Sequence, residues 1–433
     1  LKFIFPDKDY SKIESKLNNK NFFYFEKKIS DENYEKIMKL GDKSIQPEEK
    51  LIRVYPEKNL FSHIIGQIDN DNNGISGLEK ALDEKLKNTQ NRIKLTVDKD
   101  IQYLIRDELI KFNKIFSTKG SAAILMNVNN GEILSLVSLP DFDPNKREKI
   151  SDKNLINRAT KGVYEFGSVF KTFTLAAAFH ENIIEPKTEF VDLPKSLTCA
   201  GFPIREYDNK IPSTLTAEQI LVRSGNIGSV KIGQEVGEKK LKFFLTKLGL
   251  LEKIDFDIEE VGKPIKFSWG KCPLATASFG HGITTTLLQL AKAYSIIANG
   301  GYEIKPSLIH NSETKKKEKI LNKGVSINIL PILRKVVTTK EGTASLANIK
   351  GYEIGGKTGT AQKSLIGSYS ENKKINTFVS VFPTSKPKFV LAIMLDEPKI
   401  NKDYIYEYRD GSNFKLKGSP RNTAGWNSVE VSG

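Results

Sequence analysis

A serine and a lysine three residues apart, Ser168 and Lys171, could together carry out acyl transfer. They open an apolar run, residues 173–179, that has the length and composition of a buried helix. Because positions i and i+3 share one face of a helix, the two side chains are predicted to be neighbours. A serine hydroxyl needs an adjacent base to become a nucleophile. A lysine amine can be that base once burial or a second cation lowers its pKa.

Two motifs farther along the chain supply companions for this pair. Ser224 and Asn226 belong to a Ser-Gly-Asn segment that lies between two apolar helical stretches. Lys357 opens a Lys-Thr-Gly-Thr segment that has the pattern of an extended strand. Each of the three motifs alone is common on ordinary helices, loops and strand ends. Together and in this order they predict one composite site.

The order Ser-x-x-Lys, Ser-x-Asn, Lys-Thr-Gly resembles the motif set of penicillin-binding proteins and serine β-lactamases. The resemblance implies that Ser168 attacks a carbonyl carbon and that Lys171 accepts the serine proton. It implies that Lys357 lowers the pKa of Lys171 by like-charge repulsion and attracts a substrate carboxylate. It also implies that Ser224 relays a proton to the leaving amine, and that Asn226 holds Lys171 and a substrate amide.

The Lys-Thr-Gly-Thr strand carries the substrate contacts that the resemblance implies. Thr358 and Thr360 offer hydroxyl groups to a carboxylate, and Gly359 lets a substrate backbone approach the strand edge. The oxyanion hole is expected at the backbone N–H groups of Ser168 and Thr360. No organic cofactor is implied and no metal ion either, since the four histidines have no metal-ligand spacing.

The strands that must position these motifs favour an α+β fold. Asn129-Asn130-Gly131 between two β-rich runs predicts a hairpin over residues 121–138. Three more strands are predicted at 352–363, 375–386 and 388–399. These five strands suffice for one antiparallel sheet, which matches the fold that the resemblance implies, a penicillin-binding transpeptidase or serine β-lactamase-like domain.

Helices are predicted to flank this sheet and to form a helical subdomain. Residues from 172 to about 345 are mostly helical in pattern, with Thr216 and Thr284 as predicted N-caps, and Asp98 caps an earlier helix. Two departures from the family pattern stand out. Gly225 occupies a position where many relatives carry Ser or Asp, and residues 400–420 have the pattern of a lineage-specific loop.

A smaller α+β pedestal, residues 1–92, is predicted to precede a transpeptidase domain over residues 93–433. The boxes Arg53-Val54-Tyr55-Pro56 and Gly77-Leu78-Glu79 resemble parts of the noncatalytic, dimerisation-like N-terminal module of class B penicillin-binding proteins. That resemblance assigns Arg53 and Glu79 to structural ion pairs. Together with a Thr-Ala-Gly-Trp-Asn box at 423–427, these boxes most resemble the cell-division (septal) type.

The resemblance to septal enzymes implies a peptidoglycan D,D-transpeptidase. Its acyl donor would be a stem peptide ending in D-alanyl-D-alanine, and its acceptor an amine of a neighbouring stem. β-Lactam antibiotics would be covalent inhibitors, and cell-division proteins and a septal glycosyltransferase would be partners. We expect residence at the periplasmic face of the bacterial inner membrane, held by a single N-terminal anchor outside this chain, which begins at Leu1.

Charge and cysteine content bound the remaining possibilities. The net charge is +15, but the lysine runs lie in loop-like segments without interleaved aromatic residues. We therefore predict that the lysines are solvated and that the chain has no nucleic-acid partner. The two cysteines, Cys199 and Cys272, are predicted to be free, partly buried thiols. No apolar run approaches the ~18 residues that a membrane span needs.

Four alternative functions remain open on the sequence. A β-lactamase or D,D-carboxypeptidase would pass the acyl group to water, although a pedestal argues against a stand-alone lactamase. An elongation-type class B enzyme would share the chemistry but not the partners. A catalytically idle divisome scaffold would not need to retain Ser168, Lys171 and Lys357. A nucleic-acid binder would need a continuous basic face, for which no motif is present.

Overall fold

The computed structural model describes residues 1–19, 22–26, 29–49, 52–88, 92–146, 152–310, 318–365 and 368–433. It divides into two compact units, Leu1–Arg53 and Val54–Gly433. Residues 54–88, from the second part of the predicted pedestal, therefore belong to the larger unit. The predicted domain boundary between residues 92 and 93 stays a prediction.

The described residues of the first unit form two helices, α1 Tyr10–Asn19 and α2 Asp31–Met38. The side chain of Ser30 caps α2 by accepting a hydrogen bond from Asn33 N at 3.2 Å. Ile37 of α2 is buried, whereas α1 buries none of its residues.

The second unit holds a central sheet and most of the helices. Its described helices are α3 Ser62–Ile65, α4 Gly77–Ala81, α5 Asp83–Asn88, α6 Lys99–Ile115, α7 Asp152–Leu155, α8 Lys171–His180, α9 Ala217–Val222, α10 Asn226–Val236, α11 Glu238–Lys247, α12 Lys271–Ala277, α13 Leu287–Ala298, α14 Lys323–Thr338 and α15 Ser428–Ser432. Its described strands are β1 Gln67–Ile68, β2 Gly74–Ser76, β3 Gly120–Asn127, β4 Ile133–Leu139, β5 Glu189–Phe190, β6 Ser196–Cys199, β7 Phe202–Arg205, β8 Leu215–Thr216, β9 Gly355–Leu365, β10 Ser368–Phe382, β11 Phe389–Asp396, β12 Ile405–Glu407 and β13 Lys415–Lys417.

The predicted five-stranded antiparallel sheet is confirmed, with the strand order β4-β3-β11-β10-β9. The turn at 129–131 joins β3 to β4 as its Asn-Asn-Gly sequence predicts, and Gly131 has a φ of 80°. Strands β3 and β11 are buried along nearly their whole length, which explains their continuous apolar sequences. Strand β9, which carries the Lys-Thr-Gly motif, is an edge strand.

Helix α8 lies at the centre of the core. Its residues from Lys171 to Phe179 are all buried, as the run of Phe, Leu and Ala predicts. Phe173 meets Tyr294 of α13 edge to face at 5.1 Å, and the Tyr294 hydroxyl donates to Val169 O at 2.9 Å. Each such ring, removed from water, stabilises the fold by about 2 kcal/mol. The packing fixes the segment that immediately surrounds Ser168.

Two of the three predicted N-caps are confirmed. The side chain of Asp98 caps α6, and Thr216 caps α9 in a capping box with Gln219. The prediction of Thr284 as the cap of α13 is wrong, because Thr286 caps that helix with Gln289 three residues later. A capping box requires that spacing, which Thr284 does not have.

Two short antiparallel pairs, β5 with β8 and β6 with β7, interrupt the region predicted to be helices and loops. Ala200 and Gly201 connect β6 to β7, and their φ values of 50° and 82° suit a tight hairpin turn. This hairpin brings Cys199 to the first turn of α12, where it forms a disulfide with Cys272. The prediction of free thiols is therefore wrong. The loop at 400–420 likewise contains a small hairpin, β12 with β13.

The described helices include none that is long and apolar enough to cross a membrane.

The contribution of the Cys199–Cys272 disulfide to the stability of the fold can be measured. This bond closes a loop with a sequence separation of 73 residues, so its loss should lower the free energy of unfolding by about 2–4 kcal/mol. We expect this loss in a Cys199→Ser, Cys272→Ser double variant, measured by urea unfolding. Dithiothreitol should lower the stability of the wild type toward that of the variant and leave the variant unchanged. Equal stability of the oxidised wild type and the variant would contradict the prediction.

Candidate active site

Ser168 lies in a single 3-10 turn, Gly167–Phe170, that runs directly into α8. The α-helix itself begins at Lys171, one turn later than the serine. The Ser168 side chain lies at the edge of the core and is partly exposed, whereas Lys171 is only 1% exposed. The segment therefore places a partly exposed serine beside a buried lysine.

Backbone contacts hold this turn against β9. A Cβ atom added to Gly359 would lie 2.1 Å from the carbonyl oxygen of Phe166, which no real structure tolerates. Gly167 has a φ of 58°, and a Cβ there would lie 2.7 Å from Thr360 O and 3.5 Å from Thr360 N. The backbone beside Ser168 is thus adjacent to that of Thr360, as the predicted oxyanion hole requires. Gly359 is needed to seat the turn on the strand.

Lys171 is the centre of a buried hydrogen-bond network. Its Nζ donates to Ser224 O at 2.5 Å and to Asn226 Oδ1 at 2.6 Å, and lies 3.3 Å from Ser224 Oγ. Lys357, which is fully buried, donates from Nζ to Ser224 Oγ at 2.8 Å and to Thr358 O at 3.0 Å. The structure therefore brings together the lysines of the first and third motifs at the serine of the second.

Ser224 occupies an unusual backbone conformation at this junction. Its φ is 58°, in the left-handed region that few residues other than glycine adopt. This conformation directs both its carbonyl oxygen and its hydroxyl toward the two lysines. Strain of this kind, about 1–3 kcal/mol, persists where the surrounding structure enforces it and is typical of functional sites.

Burial sets the protonation of both lysines. Burial lowers the pKa of Lys171 to about 7, and the nearby carboxylate of Glu206 partly opposes that shift. Burial first, and then the charge of Lys171, holds the pKa of Lys357 well below its usual value. Desolvation is therefore the main cause of the low pKa of Lys171, whereas like-charge repulsion from Lys357 was the cause predicted from the motifs.

Three acceptor atoms surround Lys171 Nζ: Ser224 O, Asn226 Oδ1 and, at the longer distance of 3.3 Å, Ser224 Oγ. Because burial lowers the pKa of Lys171 to about 7, its neutral form, which has a lone pair to accept the serine proton, is well populated near neutral pH. Within the described part of the chain, the Ser168 hydroxyl makes no hydrogen bond, and the bonds of Lys171 Nζ go to residues 224 and 226. Catalytic hydrogen bonds are often long without substrate. Proton transfer from Ser168 to Lys171 stays a prediction.

The predicted carboxylate ligands have supports that sequence reasoning missed. Thr358 Oγ1 lies 2.7 Å from the hydroxyl of Thr343, and Thr360 Oγ1 accepts a hydrogen bond from Ala424 N at 3.0 Å. Thr360 therefore keeps its own hydroxyl proton free for a ligand. Ala424 lies in the Thr-Ala-Gly-Trp-Asn box, a segment recognisable in the sequence but without an assigned contact to the site.

Two glutamates near the site were also missed. Glu206 follows β7 and accepts hydrogen bonds from Asn226 N and Ile227 N. Glu165, three residues before Ser168, accepts from Gly282 N and from the Tyr369 hydroxyl, each at 2.9 Å. Neither glutamate belongs to a motif, and only Glu165 is close to one in sequence.

The comparison with known families agrees with this geometry. The penicillin binding protein transpeptidase domain matches residues 121–412, and the penicillin-binding protein dimerisation domain matches residues 3–109. The chain belongs to the penicillin-binding protein transpeptidase family. The three motifs predicted a penicillin-binding protein, and the boxes at 53–56, 77–79 and 423–427 predicted a class B member of the FtsI type. This resemblance is confirmed, and so is the fold class.

Curated relatives cover most of this penicillin-binding protein. It is 32% identical over 380 residues to the probable peptidoglycan D,D-transpeptidase FtsI of Caulobacter vibrioides, an alignment that covers 84% of this chain and 64% of the relative. It is 30% identical over 437 residues to the stage V sporulation protein D of Bacillus subtilis, covering 91% of this chain and 67% of that protein. The chain thus spans about two thirds of the length of these relatives.

Solved structures share the fold. Apo penicillin-binding protein 3 of Mycobacterium tuberculosis superposes with a TM-score of 0.76 over 88% of this chain and 89% of that chain, at 24% identity. The transpeptidase domain of penicillin-binding protein 3 of Burkholderia pseudomallei gives a TM-score of 0.66 over 78% and 92% of the two chains, at 26% identity.

The contact between Gly359 and the serine turn can be tested directly. We expect Gly359→Ala to lower the free energy of unfolding by about 1–3 kcal/mol, because the added methyl group would collide with Phe166 O. The same displacement should slow labelling by a fluorescent penicillin at least tenfold. Gly324→Ala in α14 is the matched control, since a Cβ there meets no atom within 4 Å. Equal behaviour of the two variants in urea unfolding and labelling would refute the contact.

Proposed function

We propose that this penicillin-binding protein is a peptidoglycan D,D-transpeptidase that works through a Ser168 acyl-enzyme. The observation that carries the proposal is the buried chain from Lys171 through Ser224 to Lys357 beside the partly exposed Ser168. The name of the Caulobacter relative, a probable peptidoglycan D,D-transpeptidase, supports the same reaction.

In the acylation half-reaction, Ser168 Oγ attacks the carbonyl carbon of the penultimate D-alanine. The serine proton passes to the lone pair of neutral Lys171, and the N–H groups of Ser168 and Thr360 stabilise the oxyanion. The C–N bond to the terminal D-alanine then breaks. Its amine receives a proton through the Ser224 hydroxyl, which lies within hydrogen-bond distance of both lysines.

In the second half-reaction, the amine of a neighbouring stem peptide attacks the acyl-enzyme. The amine loses its proton along the same route in reverse, the ester bond to Ser168 breaks, and the serine regains its proton. A new amide bond then joins the two stems. Water in place of the amine would give a carboxypeptidase or a β-lactamase, so the rate of release of the acyl group separates these functions.

The substrate carboxylate is assigned to the Lys-Thr-Gly-Thr strand. Thr360 has a free hydroxyl proton, because it accepts from Ala424 N, and Thr358 has one when Thr343 donates to it. The same contacts would receive the carboxylate of a β-lactam. The penicillin-binding protein 3 of M. tuberculosis has been solved in complex with ampicillin and with aztreonam.

We also propose the septal role, with cell-division proteins and a septal glycosyltransferase as partners. Similarity to a protein named FtsI supports it, whereas similarity to a sporulation protein keeps other class B roles as alternatives. The proposed location is the periplasmic face of the inner membrane, with attachment through an N-terminal segment outside this chain. The Cys199–Cys272 disulfide supports an oxidising compartment.

Labelling with a fluorescent penicillin tests the acyl-enzyme. We expect a stable covalent label on the wild type and none on Ser168→Ala, because the label is an ester of the Ser168 hydroxyl. Ser412→Ala, in an exposed loop, is the control and should label like the wild type. Label lost within seconds would identify a hydrolase. A folded wild type that never labels would refute the enzymatic proposal in favour of a scaffold.

The pH dependence of labelling tests the role of Lys171. With a pKa of about 7, the amine is mostly protonated at pH 6 and mostly neutral at pH 8. Only the neutral form accepts the serine proton, so the second-order rate constant should rise about tenfold from pH 6 to pH 8. Circular dichroism at each pH controls for unfolding. A rate constant that stays level over this range would exclude Lys171 as the base.

A further inference from the structure

The helix that carries Asn226 lacks a cap of its own. Helix α10 begins at Asn226, and its N-cap residue is Gly225, which has no side chain to accept a hydrogen bond from the first turn. Glu206, which follows the β6–β7 hairpin, takes these bonds. Its carboxylate accepts from Asn226 N at 2.7 Å and from Ile227 N at 2.9 Å. A negative charge at a helix N-terminus also interacts favourably with the helix dipole.

The same segment orients the side chain of Asn226. Arg205 O accepts a hydrogen bond from Asn226 Nδ2 at 2.7 Å, and only the amide nitrogen can donate to a carbonyl. Asn226 Oδ1 must therefore point the other way, toward Lys171 Nζ at 2.6 Å. Residues 205 and 206 thus fix both the backbone and the amide of Asn226, and Asn226 in turn fixes the amine of Lys171.

The space beside Gly225 has room for a side chain that could cap α10 locally. A Cβ atom added to Gly225 would lie 3.6 Å from Glu206 Oε1, an ordinary contact, and the backbone φ of −63° accepts any residue. A serine at this position would offer its hydroxyl to the first turn of α10, as serine N-caps do. Residue 225 leaves the first turn of α10 without a side-chain cap, and the carboxylate of Glu206 caps it from a different part of the fold.

The disulfide restrains the hairpin that leads to Glu206. Cys199 ends β6 and is bonded to Cys272 of α12, and Cys199 pairs with Phe202 at the start of β7. Arg205 ends that strand, and Glu206 follows it directly. The hairpin is therefore anchored at its turn end by a covalent bond and at its other end by the contacts with Asn226.

We propose that Glu206 is a positioning residue for acyl transfer: it caps α10 in place of residue 225 and, through Asn226, holds the amine of Lys171 in place. The inference rests on the proposed transpeptidase function. Glu206 also acts on Lys171 by charge. The charged groups that face Lys171 are Lys357 from β9 and Glu206 from the hairpin, and the carboxylate raises the pKa of Lys171 against the effect of burial.

Four variants separate the cap from the charge. Glu206→Ala removes both, Glu206→Gln removes the charge and keeps an acceptor, Gly225→Ser adds a local cap, and the fourth combines Glu206→Ala with Gly225→Ser. The measurement is the second-order rate constant of labelling by a fluorescent penicillin from pH 5.5 to 9, with urea unfolding of each variant. Asp208→Asn, two residues farther along and also partly buried, is the control for a general loss of negative charge.

We expect Glu206→Ala to label at least tenfold more slowly than the wild type at pH 8, and the combined variant to recover most of that loss. In Glu206→Gln the rate should start to rise at a lower pH than in the wild type, because Lys171 loses its acidic neighbour. A role limited to stability would not move this pH profile. Asp208→Asn should match the wild type throughout.

Several results would overturn the proposal. One is labelling of Glu206→Ala at the wild-type rate. Another is failure of Gly225→Ser to restore the rate in a folded combined variant. If Glu206→Ala does not fold, Glu206→Gln decides, since an unchanged pH profile there also refutes the proposal. Wild-type protein that never labels would instead refute the transpeptidase function itself, so the two failures are distinguishable.

Discussion

Two lysine side chains buried against one serine hydroxyl are the constraint on which the rest of this structure depends. Removing an amine from water disfavours its charged form, so Lys171 and Lys357 can share this site only because their pKa values fall. The three groups come from α8, from the loop before α10 and from β9. The sheet and the helical part of the larger unit must therefore meet at one point, and that point is the site.

Backbone atoms, rather than side chains, make the contact between the serine turn and strand β9. Close approach of Gly359 to Phe166 O brings Ser168 onto the edge strand, and the buried α8 holds the turn from below. Few substitutions are compatible with contacts of this kind. Around these backbone contacts lie Thr343, Ala424 and Glu206, which orient protons and amide groups. Their effects on the reaction rate are therefore partial rather than all-or-none.

The sequence revealed the parts of the fold and site that depend on local patterns. The three motifs identified Lys171, Ser224, Asn226 and Lys357 because their spacing is a property of single elements, and Asn-Gly marked the β3–β4 turn. Long-range contacts were missed. Strands β6 and β7 have four residues each, and Pro203 interrupts the pattern, so neither the disulfide nor the cap from Glu206 could be anticipated.

The order of strands along the chain has a consequence for when the molecule becomes reactive. β3 pairs with β11, so that Ile124 meets Ala392, and all the helices from α8 to α14 lie between. Such distant pairing forms late, because a long loop must close first. A chain that emerges with its N-terminus first exposes Ser168 long before Lys357 exists beside it. Incomplete chains that end before β9 would carry the nucleophile without Lys357, so reactivity toward penicillin requires that the chain has been made at least as far as β9.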